Sequence, residues 1–164
     1  MCVALAALEA TIRLQGRGGE RSIPIADFHR LPESTPEIDT NLKSDELILS
    51  IDLPASPYAG HSHYLKVRDR ASYEFALISV AAALELNGGT IRSARIVLGG
   101  VAHKPWRVTG AERVLIGKSL EPAVFDAAGQ EAVAGATPYR QNAFKVDLVR
   151  RAVARALAEA GGVA

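Results

Sequence analysis

Apolar and polar positions alternate along two stretches in the first third of the chain. The segment ATIRLQGRGGERSIPI alternates on either side of a glycine-rich centre, which predicts a β-hairpin. A turn, ADFHRLP, follows it, and DELILSIDLP then predicts a strand that ends at Pro54. The opening MCVALAALEA is apolar, but an acidic residue interrupts it and no basic leader precedes it, so we interpret it as a packed helix.

The pattern becomes more regular after the loop ASPYAGHS, which is the best boundary between two parts of the chain. Beyond it, SHYLKVR predicts a strand and YEFALISVAAALEL is a long apolar run. Periodicity alone does not decide whether the alanine-rich part of that run is a strand or a buried helix. The NGG sequence at 87–89 is typical of a hairpin turn leading into TIRSARIVLGGVA, and it favours the strand.

Helical signals predominate in the last third of the chain. Thr109-Gly-Ala-Glu112 has the spacing of a capping box, in which the threonine accepts from the amide three residues on and the glutamate reaches back. Pro122 suits the first turn of a second helix over residues 121–134. Thr137 followed by Pro138 opens a third helix, which runs to the glycine pair at 161–162.

The third of these helices is amphipathic. A helix with one apolar and one charged face packs its apolar face on a neighbouring layer, here a sheet. The apolar face carries Val146, Val149, Val153, Ala156, Leu157 and Ala160, and the opposite face carries Asp147, Arg151, Arg155 and Glu159.

The stretch GGVAHKPWRV, residues 99–108, is the most informative of the chain, because two glycines end an apolar run before a group of polar side chains. An active site and a strand exit would both show this pattern. We interpret it as a strand leaving the sheet, with Pro105 breaking it, Trp106 packing at the corner and Thr109 capping the next helix. His103 is accordingly not predicted to be catalytic, and no catalytic residue is assigned.

Composition indicates an ordinary folded domain of 164 residues, with 48% hydrophobic and 23% charged residues. The formal net charge of +1 favours neither a nucleic acid nor an anionic membrane as a partner. Cys2 is the only cysteine, which excludes an internal disulfide and any cluster of cysteine metal ligands within the chain. A reducing cytoplasm is therefore the expected location.

Three short motifs have both a functional and a structural interpretation. GRGGE at 16–20 contains the glycines of a phosphate loop, but a strand rather than a helix follows it, so a hairpin turn is favoured. His61 and His63 point the same way on an extended segment, but zinc needs a third ligand, and only Asp69, His29 or His103 is available by tertiary contact. We therefore predict no metal site.

The third motif is the charged segment KVRDRASYE at 66–74. Its default interpretation is a solvated strand end with weak mutual ion pairs. The functional alternative is a basic group beside an anionic or electron-rich cofactor.

Six segments occur along the chain in a characteristic order. They are MCVALAALEATIRLQGRGGERSIPIADFHRLP, DELILSIDLP, YLKVRDRASYEFALISVAAAL, ARIVLGGVAHKPWR, AERVLIGK and LVRRAVARAL. Together they resemble the flavin-binding subunit of the molybdenum hydroxylases, the family of xanthine dehydrogenase and carbon monoxide dehydrogenase. The GGVAHKPWR stretch is most similar to the bacterial aldehyde oxidoreductase branch of that family.

The resemblance implies an α+β fold in two parts. Residues 1–54 would be the C-terminal remnant of the FAD-binding domain, and the chain would begin after the acidic residue and glycine-rich segments that hold the nucleotide in the family. Residues 58–164 would be a domain like the C-terminal domain of the CO dehydrogenase flavoprotein. In the family that domain is a three-stranded antiparallel sheet covered by three helices.

The resemblance carries two flavin contacts to this chain. Ile48 matches a position that lies against the flavin, and Lys66 matches a basic residue next to its ring system. A lysine at that place would stabilise negative charge on the reduced ring and raise its potential.

The function implied is that of the C-terminal part of the FAD-binding subunit of a molybdenum hydroxylase. Such an enzyme oxidises an aldehyde or heterocycle, and its electrons pass through iron-sulfur clusters and FAD to an acceptor. The expected partners are an iron-sulfur subunit and a molybdenum-cofactor subunit. The isolated chain is expected to be inactive and to bind FAD weakly or not at all. Its exposed face also makes a homo-oligomer a candidate assembly. The alternative is a free-standing α+β interaction module without flavin.

Overall fold

The computed structural model describes residues 1–163, which form two antiparallel sheets and five helices. The first sheet has the order β2-β1-β3 and consists of β1 (Thr11–Gly16), β2 (Gly19–Pro24) and β3 (Leu47–Asp52). The second has the order β4-β5-β6-β7 and consists of β4 (Ser62–Val67), β5 (Ile78–Asn87), β6 (Thr90–Gly99) and β7 (Trp106–Arg107). The helices are α1 (Cys2–Ala7), α2 (Ile25–Phe28), α3 (Thr109–Leu115), α4 (Pro122–Ala132) and α5 (Phe144–Gly161).

The first sheet confirms the predicted hairpin and the strand after it. β1 and β2 pair in register from Thr11–Pro24 to Gly16–Gly19, so the glycine-rich segment is a hairpin turn and not a phosphate loop. Residues 12 and 14 are buried and residue 13 is exposed, which is the alternation of a sheet with one covered face. The covered face packs against α2 and Leu5 and Ala6 of α1.

The second sheet is covered on both faces. β5 is a strand rather than a helix, and its first seven residues are all buried, which explains why its sequence shows no alternation. Helices α3, α4 and α5 cover one face and enclose the main core. The opposite face carries Ala81 and Val97, which pack against Ala7 and Val3 of α1. A single short helix therefore links the two sheets.

Two adjacent glycines are required by close contacts at the end of β6, and the first of them, Gly99, allows α1 to lie this close to the sheet. A Cβ atom at Gly99 would lie 2.5 Å from Ser79 Oγ and 2.7 Å from Val3 Cγ2. Gly100 has a φ of +77°, and a Cβ atom there would lie 2.7 Å from the backbone oxygen of Leu77. The glycine pair of GGVAHKPWRV is thus a packing and backbone requirement.

The predicted capping box is wrong. Thr109 is already helical, Val108 occupies the position before α3, and no side chain caps this helix. Glu112 points back to the sheet instead: its carboxylate accepts from the Ile96 amide at 3.0 Å and from Nε of Arg107 at 2.8 Å. A charge-assisted pair with a buried carboxylate is stronger than a neutral cap, so the tertiary partners prevail over the local motif.

The last helix begins later than predicted. It starts at Phe144 instead of Thr137, because residues 139–142 form a turn in which the Tyr139 amide donates to Oδ1 of Asn142 at 2.7 Å. From its start onward the predicted faces are confirmed, since Val149, Val153 and Leu157 are buried and the four charged positions are exposed. The second helix, predicted over 121–134, is α4 with Pro122 in its first turn.

Trp106 differs from its predicted place at a packed corner. It lies in β7, opposite Leu98 of β6, and 43% of its surface is exposed. The two-residue β7 widens the predicted three-stranded sheet by one short edge strand. The α+β class with antiparallel sheets and covering helices is confirmed. Within residues 1–163, no helix combines the length and apolarity that crossing a membrane requires.

The glycine requirement predicts a graded loss of stability. Gly89→Ala, with a φ of +82° and no atom near the new Cβ, should cost only the left-handed backbone penalty of about 1–2 kcal/mol. Gly100→Ala should cost about 1–3 kcal/mol more, because its Cβ also collides with the Leu77 carbonyl. Urea unfolding of the two variants and the parent chain measures both values. Equal losses would show that the close approach at Gly100 carries no energy.

Candidate functional site

Ile48, the first predicted flavin contact, lies on the edge strand β3. The pairing of β3 with β1 shifts between Arg13 and Leu14, because β3 has one extra residue there, Leu49. This bulge places Ile48 opposite Leu14 and Ile51 opposite Ile12, so both side chains face the same side as the buried residues of β1. Yet 47% of Ile48 is exposed, so the core face of the first sheet stays open at its edge.

A carboxylate fixes the turn that leads into β3. Glu46 accepts two hydrogen bonds from Arg21, at 2.6 Å and 2.8 Å, and one from the Lys43 amide at 2.8 Å. The hydrogen bonds from Arg21 and from the Lys43 backbone lower the pKa of the Glu46 carboxyl from 4.5 to about 2. Glu46 thereby ties the start of β3 to β2 and fixes the position of the strand that carries Ile48.

Lys66, the second predicted contact, lies near the end of β4, and its own side chain is exposed. It is paired directly with Ser79 of β5, and Ser79 is paired with Gly99 of β6, so the three share one face of the second sheet. Gly99 touches Val3, which identifies this face as the one that α1 covers. The Lys66 ammonium donates to the backbone oxygen of Glu74 at 2.7 Å and makes no ion pair within the described residues.

The loop after β4 carries two aromatic side chains that the sequence analysis placed in a strand run. β5 begins only at Ile78, and Tyr73 and Phe75 are 95% and 94% exposed. Tyr73 has a φ of 51°, a left-handed conformation that is rare for an aromatic residue and typical of functional loops. The polar sequence RDRAS, which directly precedes Tyr73, could have predicted this loop. The two rings flank Glu74, whose backbone oxygen contacts Lys66, and exposed rings are suited to contact a planar ligand.

Ile48 and Lys66 lie on different sheets, in the consecutive strands β3 and β4. Each lies on the face of its own sheet toward which α1 packs, and loop 53–61 joins their strands. That loop is anchored by Tyr58, whose hydroxyl group lies 3.0 Å from Ser93 Oγ and whose ring lies under the Arg95 guanidinium. The charged segment 66–74 forms local bonds, in which the Arg70 amide donates to Glu74 at 2.8 Å.

An ion-pair network joins the end of α1 to the second sheet. The Glu9 carboxylate pairs with Arg95 of β6 at 3.1 Å and with Arg107 of β7 at 2.7 Å. Arg107 in turn holds Glu112 of α3 through two guanidinium nitrogens. Burial acts to raise the pKa of Glu9, but the two arginines outweigh it, so this pKa lies below its ordinary value. The network fixes the orientation of α1 between the sheets.

The histidine and cysteine candidates do not assemble into a site. Among residues 1–163, no three side chains of the metal-binding types lie together. His61 lies in the loop before β4 and His63 within it, where it pairs with Ala82. Cys2 is exposed on α1. The candidate site is therefore the apolar face around Ile48 and the cationic, aromatic surface around Lys66, both suited to holding a planar, electron-rich group rather than to acid–base catalysis.

Comparison with known protein families gives two matches along the chain. The model for the FAD binding domain in molybdopterin dehydrogenase matches residues 1–56. The model for the CO dehydrogenase flavoprotein C-terminal domain matches residues 63–160, which is more than half of the chain.

Curated relatives extend this similarity. The aldehyde oxidoreductase FAD-binding subunit PaoB of Escherichia coli is 45% identical over 161 residues, which cover 98% of this chain and 47% of that protein. The glyceraldehyde dehydrogenase medium chain of Sulfolobus acidocaldarius is 38% identical over 120 residues, covering 73% of this chain and 40% of that one. The chain thus spans about half the length of these relatives.

Solved structures show the same fold. Carbon monoxide dehydrogenase from Hydrogenophaga pseudoflava matches with a TM-score of 0.84 and 29% identity, over 98% of this chain and 56% of that chain. The Cu,Mo-CO dehydrogenase matches with a TM-score of 0.85 and 26% identity, over 99% and 56% respectively.

The low pKa of Glu46 predicts that the free energy of unfolding decreases in acid. Because the folded pKa is depressed, the contribution of this carboxylate is complete above about pH 4.5 and is lost as the pH falls toward about 2. Arg21→Met and Glu46→Gln should each flatten the pH dependence of the unfolding free energy across that window. Arg13→Met removes an arginine from the neighbouring strand but leaves Glu46 paired, so it should keep most of the parent slope. A parent-like slope in Glu46→Gln would contradict the assignment.

Proposed function

This chain belongs to the CO dehydrogenase flavoprotein C-terminal domain family, and we propose that it serves as part of the FAD-binding subunit of a molybdenum hydroxylase. The enzyme would oxidise an aldehyde or a heterocycle, and aldehydes are favoured by the 45% identity to an aldehyde oxidoreductase subunit. The observation that carries the proposal is the pair of family matches along the chain. These relatives support a flavin subunit and not the flavin-free interaction module.

The chain would contribute two parts of such a subunit. We propose that residues 1–54 form the last part of its FAD-binding domain and that residues 58–164 form its C-terminal domain. The separate apolar clusters of the two sheets support this division, since each has its own buried residues. The ion pairs of Glu9 would hold the two parts in one orientation.

The residues around the candidate site fit one wall of a flavin site. FAD, when bound, would supply the redox chemistry that passes electrons to an external acceptor. Ile48 offers an apolar surface next to a face of the first sheet that is open to a planar ring. Lys66 offers an ammonium group whose bond is to a backbone carbonyl, so its charge is not neutralised by a carboxylate. It would hold negative charge at the edge of the ring and exclude cations from it.

An iron-sulfur subunit and a molybdenum-cofactor subunit are the proposed partners, and the cytoplasm is the proposed location. The similarity to subunits of aldehyde oxidoreductase and carbon monoxide dehydrogenase supports the two partners, and the lone cysteine supports the location.

Purifying a tagged form of this chain from its own cells should recover both partner subunits and FAD. Recovery of the chain without either partner would contradict this proposal.

We expect the chain by itself to hold FAD weakly. Ile48 and Lys66 supply one wall, and nothing in residues 1–163 closes the exposed face of β3. Titrating the chain with FAD should therefore leave flavin fluorescence largely unquenched at a stoichiometric ratio. A stoichiometric, quenched complex would show that these residues form a complete flavin site.

The proposed role of Lys66 predicts a change in potential. In the flavin-loaded enzyme assembled with this chain, Lys66→Met should lower the two-electron flavin potential by tens of millivolts, since about 1.4 kcal/mol corresponds to about 30 mV. Lys66→Arg keeps the charge and should retain most of the potential. Lys118→Met removes an exposed lysine beyond α3 and should have no effect. Spectroscopic redox titration measures all three, and an unchanged potential in Lys66→Met would exclude this role.

A further inference from the structure

A cavity that neither Ile48 nor Lys66 lines lies where the N-terminal segment meets the loop between β6 and β7. Its volume is about 590 Å³, within the range of about 300–1,000 Å³ usual for small-molecule sites. Apolar groups form most of its wall, among them Ile25, Leu31, Pro105 and the indole of Trp106. Four titratable side chains also line it: Glu9, His29, Lys104 and Arg107.

The charges in this cavity are not balanced. Glu9 is already paired with Arg95 and Arg107, and Arg107 is also held by Glu112. Lys104 has no carboxylate partner within the described part of the chain, and its ammonium makes one long hydrogen bond, 3.3 Å to the Ala26 carbonyl. One positive charge in the wall is therefore left without a counter-charge, which a bound anion would supply.

His29 adds a polar atom without a partner. Its Nδ1 is buried and has no hydrogen bond of good geometry within the described residues, although the Ile25 carbonyl lies near the ring and Phe28 holds the ring edge-on at 5.2 Å. Burial lowers the pKa of the His29 imidazole, and the nearby charge of Lys104 lowers it further, against an opposing effect of the Ile25 carbonyl. His29 and Lys104 line the same cavity. A buried nitrogen without a partner costs stability unless a ligand or water satisfies it.

We propose that this cavity binds a small aromatic carboxylate. The carboxylate group would accept hydrogen bonds from the Lys104 ammonium and the His29 ring, and the aromatic ring would lie against the Trp106 indole. A multiply charged phosphate fits this cavity less well. Lys104 is the one cation in the wall that the described residues leave without a carboxylate, most of the wall is apolar, and the Glu9 carboxylate would repel a phosphate. This inference does not depend on FAD or on the proposed function.

The chain contains its own reporter for this site. Trp106 is the only tryptophan in the sequence, and it lines both this cavity and the one that contains Lys145. Its fluorescence therefore reports binding at either cavity, and the variants of Lys104 and Lys145 assign the site. Benzoate should change the Trp106 emission with saturation. Benzamide, which has the ring without the charge, and acetate, which has the charge without the ring, should each bind about tenfold more weakly or worse. Equal affinity for benzoate and benzamide, or no saturation with benzoate, would overturn the proposal.

Variants test the assigned residues. Lys104→Met should weaken benzoate binding about tenfold or more, whereas Lys104→Arg should retain most of it. Lys145→Met is the matched control, because Lys145 also donates to a backbone carbonyl, that of Gly100 at 3.1 Å, but in a different cavity. Benzoate should also shift the ring signals of His29 in NMR spectra, which are assigned with His29→Gln. Parent-like affinity in folded Lys104→Met, or an unshifted His29 ring, would refute the assignment.

Discussion

The close packing of α1 on the second sheet is the contact on which the rest of this structure depends. It buries Ala81 and Val97 on the face that the large helices leave open, and it is possible only because Gly99 presents no side chain to Val3. A sheet covered on both faces needs strands that are apolar on both faces, which explains the unbroken apolar run of β5. The same helix contributes Leu5 and Ala6 to the core of the first sheet, so one short element orients both layers.

Electrostatic pairing completes what this packing begins. Glu9 follows α1 with a φ of 54°, and its carboxylate reaches both Arg95 and Arg107. Arg107 also binds the buried carboxylate of Glu112, so ion pairs connect the end of α1, β7 and α3. Half-buried, hydrogen-bonded pairs of this kind are costly to break one partner at a time. Lys104, which lies in the loop before β7, has no carboxylate partner within residues 1–163.

The exposed side chains of β3 and of the surface around Lys66 are the ones suited to bind a ligand or another subunit. β3 is an edge strand whose apolar side chains are exposed, a feature that isolated domains normally avoid and that indicates a contact with another surface. Lys66 lies on the face of the second sheet that α1 covers, and the exposed rings of Tyr73 and Phe75 lie in the loop after β4. A flavin subunit of a multi-subunit oxidoreductase needs both an apolar wall for the ring and a surface for its neighbours, and this distribution is consistent with that need.

The sequence by itself determined the hairpins, the strand character of β5 and the amphipathic faces of α5, because turn glycines and local periodicity act over a few residues. The order of its segments also indicated the family and the two residues proposed to touch flavin. Only the tertiary structure decided that Glu112 binds Arg107 rather than caps its helix, that Trp106 stays half-exposed, and that Lys104 and His29 share a cavity. Those outcomes depend on groups outside the local motif, such as the Ile96 amide for Glu112 and the N-terminal segment for Lys104, and these groups come together only when the sheets meet across α1.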